Sequence, residues 1–594
     1  MSLVTRRDVA KAGLAAAVIA PSVRGADISR EVTALGNKLN SSSGLISPNV
    51  SPWVEDLPIP ETLKPVSSLS PAFQDHEPAR DWWGPYEHQR CDDPFMEPRK
   101  FYEIRVRNEK WKFHKDLPEA PVFAYDGTVP GPTLEARYGE PFVLRVNNQL
   151  DPRHQGLGMP DCALHLHNMH TPSESDGFPG DFVTPGYYRD QHYPMIRAGY
   201  DDGLANPTKF GSKNGDWREA LGSLWYHDHR IDFTSQNVYK GMWGMCKVFD
   251  EYDTGDETTG FRLPSGPYDI CMGFQDLQFD SKKQIFFNVF DTDGHLGDKV
   301  AVNGKIHPKL EVQPRRYRFR LLNSSPSRFY QFYLCKGDAN GNFKLSGNTW
   351  ERMMMIANDG NLLEKPYAVP ANEGLMMAPA NRFDVVIDFA KYAGQTLYLV
   401  NRLHQESGRG PSFELLNPGT AVLKIVVASN LTVLDQSLPV DPEYPVGVGV
   451  QRTTQLRPLP PINLAEAKAN RTFQFDRGNG SWTVNGQRVN LKTPRCTPKQ
   501  GTAEIWTISN NSGSWSHPVH IHFEEFQILS RNGRTPPAYE KARKDVLLLR
   551  PNEEVKLFIR FRDFLGRYVM HCHNVVHEDH AMMVRWDIIP NTAT

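Results

Sequence analysis

Cysteine is scarce, with 7 in 594 residues, which excludes a small disulfide-stapled scaffold. An excess of one charge is missing as well. The 67 Lys and Arg set against 69 Asp and Glu leave a formal net charge of -2. No basic surplus exists to neutralise a phosphate backbone, so nucleic acid is excluded as a partner class. No apolar run approaches the roughly 20 residues that cross a bilayer as a helix, and an integral helical membrane protein is excluded with it. Helical heptads are absent, and "LAEAKA" at 464–469 is one of few helix-like stretches. Hydrophobic residues make up 39% and aromatics 11%, enough to fill ordinary cores, so global disorder is excluded too.

What is present favours strands and turns. The chain has 45 Gly and 46 Pro, the residues that punctuate β-rich folds. "FYEIRVRNEKWKFH" from Phe101 and "EPFVLRVNNQL" from Glu140 alternate at period two, as half-buried strands do. A unit then recurs. Tyr125-Asp126-Gly127 leads into "PTLEARYGEPFVLRVNN", Val302-Asn303-Gly304 into "PKLEVQPRRYRFRLLNSS", and Val484-Asn485-Gly486, after a longer spacer, into "KQGTAEIWTISNNS". Each has a turn dipeptide, an apolar strand, a Gly or Pro turn, and a second strand ending in Asn. The spacing of about 180 residues predicts three similar β-sandwich domains, with bounds expected at 96–252, 253–430 and 431–594. Residues 27–95 are rich in Ser and Pro and read as an extended arm, anchored by Trp53, Trp82 and Trp83. At the start, Thr5-Arg6-Arg7-Asp8 precedes the Ala-rich stretch Ala12 to Ala20. Residues 1–26 are therefore expected to be a twin-arginine-type export signal, with a periplasmic or extracellular destination.

Half of the 20 histidines fall in four short runs: His165-Leu166-His167, His227-Asp228-His229, His517-Pro518-Val519-His520-Ile521-His522, and His571-Cys572-His573 with His577 following. Random placement gives about 0.7 His-x-His pairs in a chain of this length, and there are four. Residues i and i+2 of a strand face the same side. Four such pairs converging offer eight imidazoles, more than one ion uses. Imidazole suits copper, iron, nickel or zinc. Cys572, His577 and Met582 follow at four-residue gaps. With a second imidazole, for which His517 is the natural choice, they form the thiolate, imidazole and thioether set of a blue-copper site. Cys572 points away from its neighbours His571 and His573, so this site and the imidazole cluster share one strand.

With those four segments the chain resembles the multicopper oxidase family over roughly residues 100 to 594. "HPVHIH" and "HCHNVVHEDHAMM" most resemble the bilirubin-oxidase branch. "HLHNMHTPSESDGFP" and "VNGKIHPKLEVQPRRYRFRLLN" are closer to spore-coat laccases and phenoxazinone synthases. The resemblance implies an all-β chain of three cupredoxin-like Greek-key β-sandwich domains holding four copper ions. It implies a type 1 copper on His517, Cys572, His577 and Met582, and a type 2 copper on His165 and His520. One type 3 copper would take His167, His227 and His573, the other His229, His522 and His571. Dioxygen would be the acceptor and a small aromatic molecule the reductant: a phenol, an aminophenol or a bilirubin-like pyrrole, in keeping with methionine at the axial position. Asp176 and Glu578 are the expected catalytic acids, delivering protons or orienting the imidazoles. A metallo-oxidase of Cu(I) or Mn(II), and a copper-binding or coat protein without turnover, are the alternatives. Met583 is an alternative axial residue. His170 and His580 are expected to bind no metal. Met353, Met354, Met355, Met376 and Met377 are expected to pack in the core, and Cys162 to be either bridged or free.

Overall fold

The computed structural model describes residues 41, 43–74, 76–77, 86–201, 215–338, 350–443 and 451–591. The expected export signal and Trp82 and Trp83 of the arm lie outside the described residues. Three cupredoxin-like β-sandwich domains follow one another. The first faces a sheet of Ala120–Tyr125, Lys100–Trp111, Phe142–Gln149 and Tyr188–Tyr193 against one of Leu134–Arg137, Trp243–Phe249, Ser223–Asp228 and Leu164–His167. The middle domain pairs a seven-stranded with a six-stranded sheet, and the third a six-stranded with a four-stranded sheet. One pattern recurs in all three. Lys100–Trp111 runs parallel to Phe142–Gln149, Asp269–Leu277 to Arg316–Asn323, and Ala467–Gly478 to Thr502–Asn510. Parallel neighbours need a crossover connection, so each domain closes as a Greek key rather than a simple meander.

The repeated residues explain the repeated shape. Asp126-Gly127, Asn303-Gly304 and Asn485-Gly486 each carry two positive φ values (47° and 84°, 46° and 74°, 53° and 70°). That is the turn whose twist matches a hairpin, and Asn, Asp and Gly reach it at least cost. The Asn that ends each second strand is buried and works as a clamp. Asn148 Nδ2 donates to the Pro160 and Val183 carbonyls, Asn323 Nδ2 to Arg328 and Met377, and Asn510 Nδ2 to Trp515 and Arg550. Their Oδ1 atoms accept from the Leu150, Ser325 and Ser512 amides. A buried amide with both ends satisfied fixes the following loop, and an apolar residue there would leave carbonyls unpaired.

"LAEAKA" does not form a helix. Leu464–Glu466 is a single 3-10 turn, and Ala467–Gly478 is a strand. Parallel pairing with Thr502–Asn510, which begins at Ala467 opposite Ala503, outweighs the helix preference of Ala and Lys. Only two short α-helices, Thr234–Tyr239 and Val575–Asp579, occur among the described residues. The second caps the first, Asp579 accepting from the Thr234 and Ser235 amides, and is itself capped by Asn574. The arm crosses from the middle to the first domain through bridges at Asp56–Lys309, Thr62–Thr133 and Val66–Phe101. Trp53 anchors it edge-on against His307 and Tyr398, with ring centroids 5.5 Å apart in both contacts.

Each domain has its own core, and that of the third contains Cys572 and Met582 among Phe475, Trp482, Trp506 and Trp586. Met353, Met355 and Met377 sit in the middle core, Met354 packs in a neighbouring cluster, and Met376 lies partly buried at its edge. All seven cysteines are unbridged, Cys162 included.

Candidate metal centre

Strand register delivers the histidines. Leu164–His167 pairs with Ser223–Asp228 so that His165 lies opposite His227. His517–Ile521 pairs with Gly566–Cys572 so that His520 lies opposite His571. His229, His522 and His573 follow immediately after their strands. The first and third domains thus face each other across a fully buried cage of eight imidazoles.

The ligand atoms form compact groups. His167, His227 and His573 make one, His229, His522 and His571 a second, and His165, His167 and His520 a third; atoms within a group lie within 4.8 Å of one another. In the second, His229 Nε2 stands 3.2 Å from His522 Nε2 and 3.1 Å from His571 Nε2, and the last two are 3.2 Å apart. Three nitrogens bound to one ion at about 2.0 Å would sit about 3.3 Å apart in a tetrahedral arrangement. Both ring nitrogens of buried His573 lack a hydrogen-bond partner, and leaving such groups unpaired is costly. The residues therefore fit a cluster of imidazole-bound metal ions, which suits copper.

Four of the outward nitrogens donate to oxygens, which fixes the tautomer and leaves the inward nitrogen free to bind a cation. His165 Nδ1 donates to the Asp176 carbonyl, His227 Nδ1 to the Asp228 carbonyl at 2.8 Å, and His520 Nδ1 to the Asp545 carbonyl at 3.0 Å. His522 Nδ1 donates to Asp176 Oδ2 at 2.7 Å. Glu578 Oε1 lies 3.3 Å from His229 Nδ1, and Oε2 3.0 Å from His571 Nδ1. Thr234 Oγ1 donates to Glu578 Oε1 at 2.7 Å. Burial, reinforced by the neighbouring positive charges, holds His165, His167, His522 and His573 well below the ordinary imidazole range and His227 at about 3. Burial pushes the Asp176 and Glu578 carboxyls upward. Asp176 Oδ1 has no hydrogen-bond partner.

Asp176 reaches His522 because Gly177 lets its loop press on the His165 strand. Gly177 has φ +78°, and a Cβ there would strike the Leu164 carbonyl and His165 Cα.

Beyond the shared strand lies a second group. Cys572 Sγ is 3.4 Å from His517 Nδ1 and 3.6 Å from His577 Nδ1, and those nitrogens are 3.3 Å apart. Burial pushes the Cys572 thiol far up, so holding it as thiolate requires a cation. Met582 packs in the same core as Cys572 and its carbonyl accepts from the Cys572 amide at 3.1 Å. Met583 packs on the other side, against Phe178 and Val569.

His170 bonds Asp563 at 2.8 Å and stacks on Phe523, and His580 Nδ1 donates to the Val576 carbonyl; neither joins a metal group. Asp228 braces the cage from the opposite face of its strand, accepting from the Ala163 amide and from Asn237, with burial lifting its carboxyl to about 7.

Sequence reasoning missed three residues at these sites. Asp545 Oδ2 lies 2.6 Å from His167 Nε2 and 3.2 Å from His520 Nδ1. Arg382, from the middle domain, pairs with Asp545 at 3.0 Å. Trp482 stacks on His577 with centroids 3.8 Å apart. The only local signal was that Asp545 immediately precedes the apolar run at Val546–Leu549.

Comparison with known proteins accords with this geometry. Residues 105–199 and 461–592 match two family models, each described as multicopper oxidase. The chain is 30% identical over 502 residues to a bilirubin oxidase of Albifimbria verrucaria, covering 82% of this chain and 76% of that protein. It is 28% identical over 600 residues to a laccase of Bacillus stratosphericus, covering 91% and 100%. Among solved structures, a laccase from Pediococcus acidilactici superposes with a TM-score of 0.67 at 20% identity, over 93% of this chain and 96% of that one.

Proposed function

The chain belongs to the multicopper oxidase family, a copper oxidoreductase with dioxygen as acceptor, and on that premise we propose that it couples oxidation of small phenolic, aminophenolic or bilirubin-like molecules to four-electron reduction of dioxygen to water. Four copper ions would be held: one by His517, Cys572, His577 and Met582, and three by His165, His167, His227, His229, His520, His522, His571 and His573. When bound, they supply one-electron acceptance at Cys572 and dioxygen reduction in the imidazole cage.

The chain's own residues do the rest. His571 and His573 flank Cys572, so an electron arriving at Sγ has a short covalent path to either imidazole. Asp176 Oδ1, buried, without a hydrogen-bond partner and 3.6 Å from His165 Nδ1, can hold a proton and release it toward the cage. Glu578 can receive one through Thr234 Oγ1, its hydrogen-bond donor. Both carboxyls also orient imidazoles through His522 Nδ1, His229 Nδ1 and His571 Nδ1. The protein is proposed to act after export, by the signal at residues 1–26.

The observation that carries this reading is the convergence of buried imidazole nitrogens into three-atom groups, joined through one strand to a Cys-His-His group. The test is oxygen uptake by copper-loaded protein with an o-aminophenol, with and without catalase. One dioxygen consumed for every four substrate electrons, unchanged by catalase, is the expected result. Absence of uptake at full copper loading would move the balance to metal-ion oxidation or copper binding without turnover.

A further inference from the structure

Neither imidazole of the Cys572 site offers an edge to solvent. His517 and His577 are fully buried. His517 Nε2 hydrogen-bonds Ser512 Oγ at 2.7 Å. His577 Nε2 donates to the Asp293 carbonyl at 2.9 Å. The middle domain seals this side: Asn574, three residues before His577, donates to the Asp293 and Gly408 carbonyls and accepts from Ser327 Oγ. Gly294 and Gly408 touch there so closely that a Cβ on either would overlap its surroundings. A reductant cannot reach van der Waals contact with a ligand ring.

One aromatic path crosses the seal. Trp482 stacks on His577 at 3.8 Å, 30° between planes, and is 1% exposed. Trp515 meets Trp482 edge to face at 5.5 Å and 80°, and is only half-buried. Trp482 Nε1 donates to the Thr292 carbonyl at 2.8 Å, which fixes its ring against the imidazole. Arg409 lies 4.6 Å from the Trp515 ring, and Arg477 lies 4.9 Å from it and 4.8 Å from Trp482.

We propose that Trp515 and Trp482 form the entry route for electrons, with the reductant resting against Trp515 and Arg409 at the surface and Trp482 bridging to His577. This inference rests on the oxidase reading above. In each step an aromatic reductant loses one electron, which ends on the oxidised ion held by Cys572, His517 and His577. The phenolic proton passes to solvent. Four such steps match one dioxygen and four protons, giving two waters. The indoles are not themselves oxidised: a guanidinium over each ring makes an indole cation less favourable, so the rings act as a coupling bridge. Arg409 and Arg477 share the single carboxylate of Asp293, so the pair keeps a net positive charge, and the Arg409 side chain, 51% exposed, also favours reductants carrying a carboxylate or phenolate.

The test follows bleaching of the blue colour when copper-loaded enzyme is mixed anaerobically with hydroquinone, comparing wild type with Trp482→Leu, Trp482→Phe and Trp515→Leu. Bleaching is expected to slow about tenfold or more in Trp482→Leu, equivalent to about 1.4 kcal/mol of barrier, and to remain near the wild-type rate in Trp482→Phe. The absorption spectrum and reduction potential of the site are expected to stay unchanged. Steady-state assays should show mainly a kcat loss for Trp482→Leu and mainly a KM rise for Trp515→Leu. Wild-type bleaching rates in both Leu variants would overturn the route. If Trp482→Leu loses its colour, Trp515→Leu decides alone, since its ring touches no ligand. Failure of the wild type itself to bleach would overturn the oxidase reading and the route with it.

Discussion

Asp545 and Arg382 tie the middle domain to a cage made by the other two: Arg382 Nη1 donates to Asp545 Oδ2 at 3.1 Å, the same oxygen that faces both His167 and His520. Those two rings stack with centroids 3.7 Å apart, so one carboxylate oxygen addresses two imidazoles of the group that His165 completes. Arg382 is held in turn: its Nη2 donates to the Asp359 carbonyl, and Asp359 Oδ2 accepts from Lys544 at 2.6 Å.

Asp545→Asn is therefore expected to lower copper affinity of the imidazole cage about 10- to 100-fold, while the blue colour from Cys572 persists. Arg382→Leu leaves the Asp545 charge buried without its partner and should cost about 3–5 kcal/mol of stability. Copper content per chain, read together with the blue absorbance and with urea unfolding of the copper-free protein, checks both. An unchanged copper count in Asp545→Asn would show that the carboxylate does not hold the cage.

Cys572→Ser should remove the blue colour and substrate oxidation together, because serine supplies no thiolate and the strand's link to His571 and His573 begins at Sγ. Oxidase activity persisting in the colourless variant would mean that electrons enter elsewhere.

How much of this was legible in the chain follows from sequence distance. The four His-x-His pairs could be read because both imidazoles of a pair lie on one strand, where period two alone sets their side. The three domains could be read because each repeats its Asx-Gly turn and its terminal Asn. Asp545 and Arg382 could not. Asp545 reaches the cage only because Val546–Leu549 pairs with His517–Ile521, placing Val546 opposite His520. Arg382 reaches it only because the middle domain packs against both. Nothing near either residue in the sequence carries that information. "LAEAKA" misled for the converse reason: its local preference was clear, but the sheet decided.

Gly177→Ala tests how Asp176 is positioned. The added methyl would collide with the His165 strand in a left-handed conformation that alanine already resists, at a cost of about 1–3 kcal/mol. Gly186, with φ +88° and nothing within 4 Å of its absent Cβ, is the control and should cost less. Thermal unfolding compares their stability, and activity per bound copper should fall only in Gly177→Ala.

Acid stability should depend on Glu219, which joins the first domain to the third. Its carboxylate accepts from Arg562 Nη1 at 3.0 Å and Nη2 at 2.6 Å, with Arg543 at 3.4 Å. Burial alone would raise its pKa, but the charges of Arg562 and Arg543 outweigh that and hold it at about 2. A carboxyl depressed by folding adds stability above its unfolded pKa and loses it as pH falls toward the folded value. Stability should therefore drop between about pH 4.5 and pH 2, by about 3 kcal/mol from this group. Urea unfolding of the copper-free protein across that range should show a shallower acid slope in Glu219→Gln than in wild type. Equal slopes would remove Glu219 from the account.

Met582 and Met583 separate two readings of the axial position by placement alone. Met582 shares the core of Cys572, and its backbone joins both Cys572 and His577. Met583 lies opposite His571 in the strand pairing and packs against Phe178 and Val569. A thioether at Met582 donates weakly to an oxidised ion, and leucine of similar volume donates nothing, so its loss favours the reduced state. Met582→Leu should keep the blue colour and raise the reduction potential of the site, because the volume-conserving swap disturbs packing little. Met583→Leu should leave the potential where it is. Redox titration of the blue absorbance measures both, and a rise confined to Met583→Leu would reverse the assignment.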